Sequence, residues 1–209
     1  MKKILFIAFV FIAGYAGAQN ITLPKPVKTG GKPLMNVLSD RQTIRTFSTQ
    51  ELSQVQLSNL LWAANGINRT DGKRTAPSAS NCQEIDIYVF LKTGVYLYNP
   101  VANTLEFIEK GDRRGEVGRQ AFIEKAPVVL VFVANWDKMT RYKNRPEDQQ
   151  FYAGTDVGFV SQNVYLYAAS ENMSTVVLGM VNRDNLAKLL KLKNGKVMLG
   201  QPIGFPEKK

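Results

Sequence analysis

The chain contains no histidine and a single cysteine, Cys82, in 209 residues. Without histidine there is no Ser-His or Cys-His nucleophile pair and no ordinary His-containing zinc site, and no metal site is expected. One cysteine cannot form an internal disulfide, so stability has to come from packing or from a partner subunit. Internal repeats are also missing, as are recognition-helix and zinc-finger patterns and any dense basic run interleaved with aromatics. If a chain so equipped is an enzyme, a bound cofactor supplies the chemistry.

Positive charge is abundant. Lys and Arg number 27 against 17 Asp and Glu, for a formal net charge of +10 and a pI near 9.7. The cations are scattered from Lys25 and Lys28 to Lys193 and Lys196, which reads as a solvated surface, part of it available to an anionic cofactor. No nucleic-acid partner is expected from this distribution.

One long apolar run is present, at the N-terminus. Lys2 and Lys3 precede the apolar stretch Ile4 to Ala13, and Ala16-Gly17-Ala18 has the small-x-small pattern cut by signal peptidase. The run is too short to span a bilayer, which takes about 20 residues. The expectation is a signal peptide over 1–18 and a periplasmic or secreted protein without stable membrane insertion. Residues 19–32, rich in Pro, Gly and Lys, read as an extended, mobile leader. Residues 33–209 form one domain of ordinary size.

Hydrophobic spacing predicts a short helix from Pro33 to Asp40. A second helix opens at Ser53 with a capping box to Gln56 and stops at Asn65-Gly66. Strands are predicted over Ile85–Leu91, Gly94–Tyr98, Leu105–Ile108, Val128–Ala134, Ser174–Met180 and Val197–Phe205. The continuous run Val128–Ala134 reads as buried on both faces. Helices are predicted over Glu116–Lys125, Asp148–Ser170 and Arg183–Leu192. Helices first, strands in the middle and a mixture after them make an α+β fold.

Two segments carry the candidate chemistry. Arg41-Gln42-Thr43-Ile44-Arg45-Thr46-Phe47 follows the first helix, and Thr75-Ala76-Pro77-Ser78-Ala79-Ser80-Asn81 lies beyond the second. An extended Arg-x-x-x-Arg segment can send its two guanidinium groups to different parts of one ligand, and Arg forks match phosphate oxygens. The same two residues also read as surface cations after a helix C-terminus, where positive charge is favoured. Trp136, Tyr142, Tyr152 and the basic stretch Arg141 to Arg145 read as a lid. Cys82 reads as a buried, inert thiol.

In order along the chain, these segments resemble the FMN-dependent nitroreductase family. Its members open with a helix, then Arg-Arg-Ser-x-Arg-x-Phe, a helix ending in a Trp-Ala-Ala-x-Gly-like stretch, and Pro-Ser-x-x-Asn. Here Trp62-Ala63-Ala64-Asn65-Gly66 and Pro77-Ser78-Ala79-Ser80-Asn81 follow the Arg41 segment. Asp156-Val157-Gly158 with Gln162-Asn163 is similar to the family's Glu-x-Gly-x-x-x-Gln-Asn, and Ile203-Gly204-Phe205-Pro206 resembles its closing Gly-Tyr-Pro strand. Residues 60–68 and 74–78 look closest to the SagB-type dehydrogenase branch.

The resemblance implies a nitroreductase-like fold, a central and mostly antiparallel sheet flanked by helices, in a homodimer with FMN at the interface. It implies that Arg41 and Gln42 meet phosphate or ribityl oxygens, that Thr43 bonds the ring or ribityl chain, and that Arg45 sits near N1 and O2. Ser78 and Asn81 would reach the flavin from the partner subunit. Leu178 and Gly179 would present backbone to N5, and Lys208 would help neutralise phosphate. The long helix would chiefly serve dimerisation, with Gly154, Gly158, Ala168 and Ala169 allowing close approach. The implied activity is hydride transfer through flavin N5 to or from a small-molecule redox substrate. A non-catalytic flavin-binding protein and a cationic binder of anionic polymers remain as alternatives.

N-terminal sequencing of the exported protein is expected to begin at Gln19; a recovered chain that retains Met1 to Ala18 would overturn the cleavage assignment.

Overall fold

Residues 19–207 are described by a computed structural model of the protein. The signal-peptide reading over 1–18 and the candidate Lys208 lie outside the described residues.

Strand β5 (Val128–Asn135) shows why this chain folds as it does. From Val128 to Ala134 every side chain is apolar and buried. Period-two alternation sends Val128, Leu130, Phe132 and Ala134 to one face and Val129, Val131 and Val133 to the other. Both faces therefore need cover, and both edges need partners. Antiparallel neighbours β2 (Ile85–Leu91) and β7 (Gly195–Gly204) supply the partners. With β1 (Ile21–Thr22), β3 (Gly94–Asn99), β4 (Thr104–Lys110) and β6 (Ser174–Thr175) they make a seven-stranded sheet. Its order is β1-β4-β3-β2-β5-β7-β6, and every pairing is antiparallel. The fold is the α+β type expected.

One face is covered by α2 (Gln54–Asn65) and α3 (Pro146–Ser170). Leu57, Leu60, Leu61 and Ala64 of α2 pack with Ala153, Val157, Val160, Val164 and Ala168 of α3 over the even side of β5. The other face is covered by α4 (Arg183–Leu189), residues 117–126 and Phe47. Helix α1 (Leu34–Asp40) sits beside α3. The Ser53–Gln56 capping box forms in both directions. Gly66 ends α2 at extended torsions, and it has to be glycine because a Cβ there would strike Trp62. Helix α3 begins with Pro146 at its first position and Glu147 and Asp148 in its first turn, where their charge favours the N-terminus. Its outward face carries exposed Phe151 and Phe159, and the space beyond Gly154 and Gly158 is open. Among the described residues no helix is long and apolar enough to cross a membrane.

Three elements differ from expectation. The leader is extended but docked rather than mobile. Ile21 and Thr22 pair with β4, Leu23 is buried, and the Pro24 carbonyl accepts from Ser58 Oγ at 2.6 Å. Residues 116–125 form no α-helix: a single 3-10 turn at Arg114–Val117 gives way to Gly118, which is extended and bridges Val181. Turns then follow to Ala126, whose carbonyl accepts from Arg114 Nη1 at 2.7 Å. The strand expected over Ser174–Met180 pairs with β7 only at Ser174 and Thr175, leaves the sheet, and touches it again where Leu178 bridges Gly200.

In urea unfolding, Leu60→Ala is expected to cost about 2–5 kcal/mol, since Leu60 is fully buried against β5. Ser53→Ala, which removes only the cap, is expected to cost about 1 kcal/mol. Equal losses would contradict this division between core and cap.

Candidate functional site

After α1 the chain runs along the β6 edge of the sheet. Ile44 N–H donates to Thr175 O at 3.0 Å, Ser48 N–H donates to Phe205 O at 2.8 Å, and Phe47 is buried between them. This anchoring fixes a short segment whose side chains alternate in direction. Arg41 and Thr43 turn toward Tyr165 of α3. The Arg41 guanidinium lies 5.5 Å from the ring centroid, and Thr43 Oγ1 is 3.0 Å from Tyr165 Oη. Gln42 and Ile44 line a cavity of about 350 Å³ with Tyr165, Lys32, Asp40 and Asn172. There the Lys32 ammonium donates to Asp40 Oδ2 (2.8 Å), Ala169 O (3.1 Å) and Asn172 Oδ1 (2.8 Å). The cavity with Gln42 and the Arg41–Thr43 pair thus meet at one ring, that of Tyr165. Arg45 is exposed, and neither it nor Arg41 forms an ion pair among the described residues.

The second strip is the stretch where β6 leaves the sheet. Val177 N–H donates to Tyr165 Oη at 3.0 Å, so one hydroxyl ties residues 41–43 to residues 177–179. Leu178 has both backbone groups committed to Gly200, at 2.7 and 3.0 Å. Gly179 is exposed, its carbonyl accepts from Arg183 Nη2 at 2.9 Å, and its N–H has no partner among the described residues. A Cβ at Gly179 would meet nothing within 4 Å, so this backbone faces open space. Arg41 and Thr43 are therefore brought to Tyr165, whose hydroxyl also holds Val177, two residues before Gly179.

Ser78 and Asn81 sit on a separate loop, drawn tight by its own bonds. Ser78 Oγ accepts from Gln83 N–H (2.9 Å), Ala79 N–H donates to Asp156 Oδ2 (2.8 Å), and Asn81 Oδ1 accepts from Gln83 Nε2 (3.1 Å). Arg74 spans from Gln83 Oε1 to the Asn65 carbonyl, and burial pushes its guanidinium below its ordinary range. Ser80, Asn81 and Gln83 have φ of 51°, 56° and 51°, left-handed values that non-glycine residues hold only when their surroundings impose them. Tyr142, read from sequence as part of a lid, is buried. It stacks on Tyr152 at 4.8 Å and bonds Ser80 Oγ at 2.8 Å, supporting the loop from beneath.

Beneath the same loop lies a carboxyl pair that sequence reasoning missed. Glu84 is fully buried and neither side-chain oxygen has a partner; Asp156 beside it is buried and holds Ala79 N–H. Burial pushes the Glu84 carboxyl up to about 7; Asp156 adds to the rise, while the Glu84 backbone amide and Lys138 oppose it. With Glu84 neutral the pair holds no more than one negative charge, and Glu84 has a proton to offer Asp156. Cys82 is half-buried, and burial together with these carboxyls raises its thiol. The available sequence signal was an acid in the Asp156-x-Gly158 motif together with Glu84 directly before a strand. Asn163 of that motif donates to the Ala64 carbonyl at 3.3 Å, a core bond, while Gln162 is exposed.

The loop and the Tyr165 cluster do not meet within one protomer. Their anchors on α3, Asp156 and Tyr165, are nine residues apart. That separation is about 13 Å along the axis and half a turn around it. The two polar clusters lie on opposite sides of one helix.

This sheet order, with its long central helix and split polar clusters, is a nitroreductase-like α+β fold. The Nitroreductase family model matches residues 38–205, most of the chain. The chain belongs to the nitroreductase family, whose members are generally oxidoreductases. It is 33% identical over 182 residues to a nitroreductase homologue of Methanocaldococcus jannaschii, covering 82% of this chain and 90% of that one. A crystal structure of a nitroreductase homologue from Ralstonia eutropha JMP134 matches with a TM-score of 0.85 and 41% identity, over 91% of this chain and 90% of that one. The NADPH:FMN oxidoreductase of Vibrio harveyi, solved with NAD+, shares the fold at a TM-score of 0.63 and 20% identity, over 84% of this chain and 69% of that one.

The carboxyl pair predicts a pH dependence. Glu84 titrates near 7 in the folded chain against an ordinary value of 4.5, so the native state holds its proton more tightly than the unfolded state. Its stabilising effect is full below about pH 4.5 and is lost as pH rises through 7. In chemical denaturation, Glu84→Gln is expected to flatten this slope and to gain roughly 2 kcal/mol on wild type at pH 8. An unchanged slope between pH 5 and 8 would show that Glu84 is not the group responsible.

Proposed function

We propose that this chain is an exported FMN-dependent oxidoreductase that works as a homodimer and transfers hydride between small molecules. The observation that carries the reading is the split site. Each protomer supplies an Arg41–Thr43–Gly179 half and a Ser78–Asn81 half that it cannot join itself, so two copies are needed to close one pocket. The exposed outer face of α3, with Phe151, Phe159 and the open space at Gly154 and Gly158, suits packing against a second copy.

The residues present fit FMN. Arg41 and Arg45 are guanidinium groups without ion-pair partners among the described residues, matched to a phosphate and to an electron-rich ring edge. Thr43 is exposed beside them, and the Gly179 N–H faces open space. Bound FMN supplies hydride transfer at its N5. The chain's part is to hold and orient it. Arg41 neutralises phosphate, with Lys208 as a second cation, and Arg45 places fixed positive charge where the reduced ring gains negative charge. Gly179 gives an amide donor, and Ser78 and Asn81 close the pocket from the partner copy.

The likeness of residues 60–68 and 74–78 to the SagB-type branch, together with export, favours a substrate-oxidising dehydrogenase or oxidase. An exported enzyme meets little NAD(P)H.

Purified protein is expected to be yellow, to release FMN on denaturation and to size as a dimer. Arg41→Ala is expected to weaken FMN binding about 10-fold or more, and Arg45→Ala to make the flavin potential more negative. A colourless protein that cannot be reconstituted with FMN would overturn the reading. Bound FMN without turnover by any donor would leave a non-catalytic flavin carrier.

A further inference from the structure

Tyr165 has no counterpart among the residues singled out from sequence, yet its hydroxyl is the one atom that touches both strips of the Arg41–Gly179 half-site. Either hydroxyl of the Thr43–Tyr165 pair could donate by geometry, and the chemistry around them favours one direction. The Val177 amide can only donate, so Tyr165 Oη accepts from it at 3.0 Å. Tyr165 is 7% exposed, and its own hydroxyl hydrogen needs an acceptor. Thr43 Oγ1, at 3.0 Å, is the only other partner of that hydroxyl among the described residues. If Thr43 donated to Tyr165 instead, a buried phenol hydrogen would be left unpaired, the costlier arrangement. The order is therefore Val177 N–H to Tyr165, then Tyr165 O–H to Thr43. Thr43 is exposed, and its hydroxyl hydrogen is left for a group outside the chain.

We infer that Tyr165 is a positioning residue that commits the Thr43 hydroxyl to act as a hydrogen-bond donor toward the bound cofactor. It also holds residues 41–43 at a fixed distance from residues 177–179. The inference rests on the FMN reading and deepens it. Thr43 then selects for acceptor atoms of the ring, its carbonyl oxygens and unprotonated nitrogens, and against a ring N–H. The same bond explains a feature of the fold. With its amide given to Tyr165, Val177 does not pair with β7, so the strand opens at the place where Gly179 becomes available. The Arg41 guanidinium over the Tyr165 ring holds the ring's orientation from the other side.

The test is a double-mutant cycle on the purified protein with FMN as the probe, read by quenching of free FMN fluorescence and by the flavin reduction potential. Tyr165→Phe removes the hydroxyl and keeps the ring. Thr43→Val removes the donor and keeps the shape. Each is expected to weaken FMN binding about five- to tenfold. Each is also expected to shift the potential to more negative values, since a donor to the reduced ring is lost or freed to rotate. The double variant is expected to be little worse than either single, because both break one chain of bonds. Thr43→Ser is expected to stay within about twofold of wild type.

Full additivity of the two variants, or an unmoved potential in Tyr165→Phe, overturns the inference; a Tyr165 that serves packing alone gives the latter. If Tyr165→Phe does not fold, the Thr43 pair decides: equal FMN affinity of Thr43→Val and Thr43→Ser overturns it. Wild-type protein that takes up no FMN overturns the cofactor reading itself, and this inference with it. Wild type that binds FMN while the cycle is additive overturns the inference alone.

Discussion

Every element here answers to one constraint, that β5 is dry on both faces and paired on both edges. A strand with seven consecutive buried apolar residues cannot sit at a surface, so the chain must return twice to flank it and twice more to cover it. Helices α2 and α3 cover one side. The Arg183 helix, the 117–126 turns and Phe47 cover the other. The functional residues then take positions that this packing leaves over. Residues 41–47 are held by the β6 edge and by Phe47 in the core, and the 78–83 loop is held by α3 through Asp156. Neither strip is regular structure, yet neither is loose, since each is bonded to an element buried against the sheet.

Helix α3 divides the chemistry as well as supporting it. Tyr165 and Asp156 project from opposite sides of it, one toward exposed cations and an open glycine amide, the other toward a buried carboxyl pair and a strained loop. A helix wide enough to separate the halves in one protomer also presents a bare face between them, with Phe151 and Phe159 exposed. The split and the bare face have one explanation if two copies pack through α3. Membership of the nitroreductase family places the chain among oxidoreductases, and the unpaired arginines beside Thr43 fit an anionic flavin.

What was legible in the sequence was what depends on local pattern. The Ser53–Gln56 capping box, the Asn65-Gly66 stop and the two-sided burial of β5 all formed as read, because each is decided by local pattern. The resemblance singled out the Arg41–Phe47 segment and the Ser78–Asn81 loop, and the structure holds them apart on α3. What was not legible depends on partners far away in sequence. The helix read over 116–125 fails because Gly118 pairs with Val181, a contact no local pattern records. The strand read over 174–180 is interrupted because Tyr165, twelve residues earlier, takes the Val177 amide. Glu84 was missed because a lone acid before a strand reads as surface until α3 is folded over it.

Both outer strands of the sheet, β1 and β6, are two residues long. Beyond β1 the rim of β4 carries Glu106, Glu109 and Lys110, and residues 41–44 run along β6. Among the described residues the sheet thus ends on one side in a charged strand rim and on the other in a segment of this chain, both of which discourage another strand from aligning there. Assembly through the helix faces would be written in side chains, where a few substitutions can create, redirect or abolish it. Through lineages, the domain can change its companions without changing its fold.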